Sequence, residues 1–378
     1  MHLKKQTVIK VTTFGVGIAL FIGALIYANA DIPGVIVPAQ LTFESARVID
    51  VLEDTTAEDP NFPQARIGYQ ILLIEILTGE HRGAIGEIEN HFGPTSHVDV
   101  RDGGRISVIV EHVDEQQFAV SLHNHERTGI LIGSVILFLL VLGVIGGKKG
   151  IMSIIGLVFT LFSIIFLLVP FIMRGYHPVF ITLIILSVTT IVSLILLSGW
   201  SRKTAIAIVG CIFGVVFAAF LAFFVGHFAG VNGFNMAEAD ELVSIGFFSN
   251  IRISGLFISG VLIAALGAVM DTAMTIASAA EELVVTNKKI TKKQLFKSSM
   301  NIGRDAMGTM SNTLILAFVG TGLNMMIVIL AFGISFSQLI NMDFIAVEII
   351  RSLAGSLGLV ITVPVVAYLA SVLLVDCK

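Results

Sequence analysis

A chain of 378 residues that is 55% hydrophobic and only 13% charged carries about half the charge fraction of an average soluble domain, roughly 25%. Residues 31–127 hold 17 acidic residues and 6 arginines, a net charge of −11, whereas Val284 to Arg304 hold five lysines, one arginine and no acid, a net +6. The one polar region long enough to fold alone is therefore acidic, which excludes the basic folded surface of a nucleic-acid binder.

The chain opens with Lys4, Lys5 and Lys10, then an apolar run from Val11 to Tyr27 and the triplet Ala28-Asn29-Ala30. That order also describes a cleavable signal peptide, but 17 apolar residues exceed the usual signal core, so residues 1–30 are read as an uncleaved anchor helix. Residues 31–127 follow as a β-rich domain. Arg66 to Ile76 is dense in branched and aromatic residues, Arg105 to Glu111 alternates with period two, and Gln117 to Leu122 follows a short acidic break. Gly79, Gly83, Gly86 and Gly103-Gly104 punctuate these runs as turns. Five or six short strands in about 95 residues predict a small OB-like barrel. Its histidines His91, His97, His112, His123 and His125 follow no ligand-spacing motif, and a shared strand face for His123 and His125 supplies only two ligands. They are read as surface or hydrogen-bonded residues, and metal binding here is left open.

From residue 128 to 378 the chain is almost continuously apolar. A transmembrane helix needs about 20 such residues. With the first run counted, eight segments qualify: Val11 to Tyr27, Ile130 to Ile145, Ile151 to Met173, Pro178 to Leu197, Ala205 to Val225, Ile253 to Thr275, Met307 to Phe332 and Leu353 to Val375. Eight crossings from an inner amino terminus put all twelve lysines on one side and only arginines on the other, as the positive-inside rule requires. Tyr27, Tyr176 and Trp200 fall at predicted helix ends, where interfacial aromatics belong. Cys211 lies inside an apolar segment and Cys377 near the last residue, so neither a disulfide nor a metal–thiolate site is expected.

The segment from Gly267 to Asn324 carries the chemistry. Asp271 interrupts the sixth apolar run, and Asp271, Thr275, Ser278 and Glu282 share one helical face. Residues 284–304 form a basic cytoplasmic connector, within which Asn287 to Lys297 is expected to lie as an amphipathic helix along the lipid headgroups. In the seventh run Asp305, Thr309 and Asn312 share a face, Arg304 is the obvious counter-ion, and Gly320-Thr321-Gly322 marks a break. A carboxylate at membrane depth costs several kcal/mol unless paired or wetted, so two of them in consecutive spans predict an ion- or proton-binding site. Structural pairing of Asp271 with Arg304, and helix–helix packing by the hydroxyls and amides, is the plainer alternative.

The stretches Gly267-Ala-Val-Met-Asp-Thr-Ala-Met-Thr-Ile-Ala-Ser-Ala and Asn301-Ile-Gly-Arg-Asp-Ala-Met-Gly-Thr-Met-Ser-Asn-Thr-Leu-Ile-Leu-Ala resemble the YibE/F-like family of bacterial multi-pass membrane proteins. The resemblance implies a bacterial plasma membrane and brings no settled activity. A weaker likeness, at the level of analogy, is to SecD/SecF and RND-type proteins, which also place an outer domain after the first span and an acid-bearing span, an amphipathic cytoplasmic connector and an Arg- and Thr-bearing span in that order; this sequence departs by two additional spans and a much smaller internal similarity.

The expectation is thus a polytopic α-helical membrane protein of about eight transmembrane helices, with an extracytoplasmic OB-like domain between helices 1 and 2 and both termini cytoplasmic. Its function is read as a transporter or export accessory coupled to a proton or cation, with Asp271, Asp305, Thr275, Thr309 and Asn312 as the binding set and Arg304 as counter-ion. The alternative is a non-transporting scaffold whose outer domain recruits a partner. No His-Glu-x-x-His, Gly-x-Ser-x-Gly or P-loop pattern occurs, so no enzyme and no cofactor are expected. The partners expected are the lipid bilayer, a proton or metal cation, and a second copy or another membrane protein.

Overall fold

The computed structural model describes residues 19–30, 41–63, 65–93, 98–114, 117–246 and 250–375. The chain divides into two compact units: Ile36–Val141, and Leu142–Lys378 together with the segment through Val35. The predicted signal-peptide features before Ala19, His97, Cys377 and Lys378 lie outside the described residues.

The first unit is an antiparallel sheet of six strands: β1 (Leu41–Asp54), β2 (Ala57–Glu58), β3 (Arg66–Ile76), β4 (Ile85–Phe92), β5 (Arg105–Asp114) and β6 (Gln117–His125). Strand order is β2-β3-β1-β5-β6, with β4 also paired to β3. Period-two alternation sends Leu72, Ile74 and Ile76 of β3 and Ile106, Val108 and Val110 of β5 into one core with Ala46, Val48, Ile88 and Val100. The three predicted runs are strands.

At one end of that core the apolar ladder gives way to amides. Gln70 and Asn90 are register partners, both 2% exposed, and the Asn90 amide donates to Gln70 Oε1 at 3.1 Å and to the Val98 carbonyl at 2.8 Å. Gln70 in turn donates to Asp54 Oδ2 at 3.0 Å, and Thr56 donates to Asp54 through its backbone N–H at 2.9 Å and through its hydroxyl. The Thr56 hydroxyl, then Gln70, hold the Asp54 carboxyl below its ordinary value. A lowered folded-state pKa gives stability that is present above the ordinary carboxylate range and is lost as pH falls through the lowered value. The isolated fragment 31–127 is therefore expected to give a β-type circular dichroism spectrum and one cooperative melt, with a melting temperature that falls in acid. Asp54→Asn should flatten that acid limb. A helical or non-cooperative fragment would overturn the expectation.

In the second unit, α1 (Ala19–Asn29) is the described part of the first apolar run. Thr128–Ser163 is α2, which begins in the first unit and enters the second at Leu142, and a π-helical turn at Ile164–Leu168 joins it to α3 (Val169–Met173). Then come α4 (Pro178–Ser198), α5 (Arg202–Ala229), α6 (Ala239–Gly246), α7 (Leu256–Thr286), α8 (Lys292–Thr321), α9 (Leu323–Ala331), α10 (Phe336–Ile340) and α11 (Asp343–Leu373). Among the described residues five helices are long and apolar enough to cross a membrane, or six if α8 and α9 form one bent span.

The expected second and third spans are one 46-residue helical stretch, Thr128–Met173, interrupted at Gly147 by φ 54° and ψ −138°. The α8–α9 bend is 59° and falls at Gly322, where the Gly320-Thr321-Gly322 break was expected. The basic connector departs from expectation. Asn287 to Thr291 is a turn, and Lys292–Lys297 belongs to α8 rather than to a separate surface helix. A capping box between Thr291 and Gln294 starts the helix there, and Gly303, the one glycine before the apolar run, lies inside the helix without ending it.

Helices α5, α7, α8 and α11 share one core, and small residues set its spacing. A Cβ at Gly214 of α5 would overlap the Thr362 hydroxyl of α11 and come within 2.9 Å of the Gly358 carbonyl. A Cβ at Gly303 of α8 would overlap Val363 and approach Ile276 to 3.1 Å. Such close backbone approach is how helices associate in a solvent as apolar as their own side chains. At one end of this bundle Lys203, in the first turn of α5, pairs with Glu281, in the last turn but one of α7, at 2.6 Å.

Candidate functional site

Helix α7 has two faces. Val269, Thr272, Ala273, Ile276, Ala277 and Ala280 are buried against the core. Asp271, Thr275 and Glu282 are exposed on the other side of the same helix. Asp271 sits at the middle of a 31-residue helix, well away from either end. Helix α8 repeats the pattern: Leu295, Ser299 and Gly303 are buried, whereas Arg304, Asp305, Thr309 and Asn312 are exposed.

Two contacts fix the relative level of these faces. The Thr272 hydroxyl lies 2.9 Å from Met310 Sδ, and Ile276 packs beside Gly303. The helices run antiparallel, so Asp305 is level with Thr275, about one turn along the axis from Asp271. The predicted polar residues are thus neighbours in depth on adjacent helices.

Their partners are few. Among the described residues neither Asp271 nor Asp305 makes an ion pair or accepts a side-chain hydrogen bond. Arg304 Nη1 is 3.4 Å from Asn301 Oδ1 on its own helix. The Thr309 hydroxyl donates back to the carbonyls of Ala306 at 3.0 Å and Asp305 at 3.3 Å, which leaves its oxygen free to accept. The Thr272 hydroxyl donates to the Ala268 carbonyl of its own helix at 2.8 Å, and Met310 Sδ packs against the hydroxyl oxygen, a contact that ties α7 to α8.

A second charged pair was not anticipated from the sequence. Helix α11 begins at Asp343, ten residues before the predicted eighth span, and so takes in Glu348 and Arg351. Arg351 Nη1 donates to Glu348 Oε1 at 2.8 Å, and its guanidinium lies 5.9 Å from the Phe318 ring centroid. The two side chains are 18% and 22% exposed. Glu348 Oε2 and Arg351 Nε are buried without a partner. Glu348 also lines a mostly apolar cleft of about 800 Å³ between the α8–α9 bend, α10 and α11. The i, i+3 spacing inside Phe344-Ile-Ala-Val-Glu-Ile-Ile-Arg was the available signal, since opposite charges one turn apart pair on a helix.

The histidines of the sheet are dispersed. His91 is 3.0 Å from Glu89, His123 meets Phe43 edge-on at 5.0 Å, and His112 lies 5.2 Å from His81, which stacks on Phe118. No cluster of three or more His, Cys, Asp or Glu able to hold a metal occurs among the described residues.

No curated protein matches this chain, and no solved structure does. A family model described as YibE/F-like protein matches residues 134–376, a segment that contains α3 to α11 and leaves the sheet outside. That is well over half of the sequence, and the chain belongs to the YibE/F-like family.

Proposed function

We propose that this protein is a plasma-membrane transporter or export accessory coupled to a proton or cation, with Asp271 and Asp305 as its carriers. One observation carries the reading: on two adjacent apolar helices, carboxylates within about one turn of each other lie on faces that the chain's own core does not cover, and among the described residues no cation of the chain pairs with either. At membrane depth such groups need water, a proton or a cation. Thr275, Thr309 and Asn312 supply neutral oxygens on the same faces, and Arg304 can swing from Asn301 to neutralise one acid but not two.

Eight spans fit this reading when the apolar run Val11 to Tyr27 is counted as one, α2 divides at Gly147 beside Lys148 and Lys149, and α8 with α9 forms one bent span. The Lys203–Glu281 pair supports a shared end for two of the lysine-bearing segments. The sheet is then an extracytoplasmic, OB-like domain and both termini are cytoplasmic. The scaffold alternative uses the same uncovered faces as a dry contact for a partner.

Single cysteines at Glu115, Lys289 and Thr275, in a background lacking Cys211 and Cys377, test both points with a membrane-impermeant maleimide. Glu115→Cys should react from outside in intact cells, and Lys289→Cys only after permeabilisation. Thr275→Cys should react from the aqueous phase if water reaches the carboxylates. An inert Thr275→Cys would favour the scaffold, and outside labelling of both loop sites would overturn the topology.

A further inference from the structure

At the end of the second unit opposite the Lys203–Glu281 pair, three separate segments meet around a cup of about 430 Å³. Tyr27 comes from the end of α1, Arg174, Gly175, Tyr176 and His177 from the turn between α3 and α4, and Arg252 from the segment before α7. We propose that this cup is a binding site for a phosphate-type oxyanion.

Backbone geometry builds it. Gly175 holds φ +87°, and a Cβ there would come within 2.8 Å of the Asn250 carbonyl, so the Arg174–His177 turn rests directly on the segment that bears Arg252. Gly255 holds φ +96° with His177, Pro178 and Val179 within 4 Å of where a Cβ would stand. Left-handed backbone of this kind favours glycine, and here it clamps the two turns together. Arg174 is oriented as well: its Nε donates to the Ala28 carbonyl at 3.2 Å and its guanidinium lies 4.8 Å from the Tyr27 ring centroid. Tyr27 and Tyr176 join hydroxyl to hydroxyl at 3.1 Å across the rim.

The charge is one-sided. Among the described residues the cup is lined by two guanidinium groups, an imidazole and two phenols, with no carboxylate in its wall. Among the described residues Arg252 makes no ion pair or hydrogen bond, and the two terminal nitrogens of Arg174 are unused. Two planar forks with unspent donors, flanked by phenol hydroxyls, match the oxygens of a phosphate or phosphodiester. His177 also lines an adjoining cleft of about 280 Å³ whose wall includes Val179, Phe223, Phe257 and Ile258, so an apolar group can lie beside the oxyanion. The phosphate can belong to a phospholipid headgroup or to a soluble phosphate. The site does not depend on Asp271 or Asp305.

The test uses full-length protein, wild type and Arg252→Gln, with Arg252→Lys as a charge-retaining control. Arg174 is left intact because it also anchors α1. Inorganic phosphate is titrated against detergent-solubilised protein at constant ionic strength, with chloride as reference. In parallel, native mass spectrometry counts lipids retained after release from nanodiscs of phosphatidylglycerol or phosphatidylcholine. Losing one charge-assisted contact should weaken binding by about tenfold or more in Arg252→Gln. Phosphate binding by the wild type that Arg252→Gln loses identifies a soluble ligand. Phosphatidylglycerol retention that Arg252→Gln loses, without a phosphate response, identifies a headgroup. Wild type and Arg252→Gln that behave alike with both probes would overturn the site.

Discussion

Asp271→Asn should abolish gradient-coupled function while the protein still reaches the membrane in normal amount and melts within a few degrees of wild type. The substitution keeps size and hydrogen-bonding capacity and removes only titration. Asp271 contributes little to the packed core: its neighbours Thr272, Ala273 and Ile276 are buried, whereas its own side chain is exposed and makes no ion pair among the described residues. Removing an unpaired charge from an apolar helix should if anything favour insertion, since a central Asp costs about 3 kcal/mol on insertion scales. Asp305→Asn should reduce function less, because Asp305 lies about one turn nearer the lysine-bearing end of α7 and α8. Complementation of a deletion strain together with thermal melting in detergent separates these outcomes. An intact phenotype with a lowered melting temperature would make the acids structural.

The largest stability effect is expected at Glu348. It pairs with Arg351 at 2.8 Å, and both side chains are mostly buried between α11 and the Phe318 region of α8. Breaking a buried pair from one side leaves an uncompensated charge, at a cost of about 3–5 kcal/mol, whereas replacing both partners by apolar groups is often neutral. Glu348→Ala should therefore lower the melting temperature sharply, and Glu348→Ala with Arg351→Met should recover most of the loss. A double-mutant cycle over these variants measures the coupling. Additive losses would show that the two residues act independently.

How much was legible in the sequence depended on how regular the local pattern was. Strand β3 repeats a buried position every second residue, so Arg66 to Ile76 reads directly as a strand. Strand β1, Leu41–Asp54, is just as long a ladder but carries register shifts between Val48 and Asp50 and between Val51 and Glu53. Each shift moves the following side chains off strict alternation, and the segment gave no period-two signal. In the helical unit the polar face of α7 was visible because i, i+4, i+7 spacing is a property of the backbone alone. Which neighbour that face meets is a property of packing, and the sequence could not show that Arg304 lies by Asn301 rather than by either acid. Glu348 and Arg351 were missed for a related reason. Two charges in an apolar run look like its boundary, and only a partner one turn away on the same helix lets the run continue through them.

Proton movement by the purified protein tests the central claim most directly. Full-length protein is reconstituted into liposomes that enclose a pH-sensitive dye, and a pH gradient is imposed with the membrane potential clamped. Wild-type vesicles should change internal pH faster than protein-free vesicles, and Asp271→Asn vesicles should match the protein-free rate. Equal rates for wild type and Asp271→Asn, whether both fast or both at background, would contradict Asp271 as a proton carrier. If both are at background, the same comparison repeated with an imposed metal-cation gradient would decide the remaining cation form of the claim, and equal rates there would leave the scaffold reading in its place.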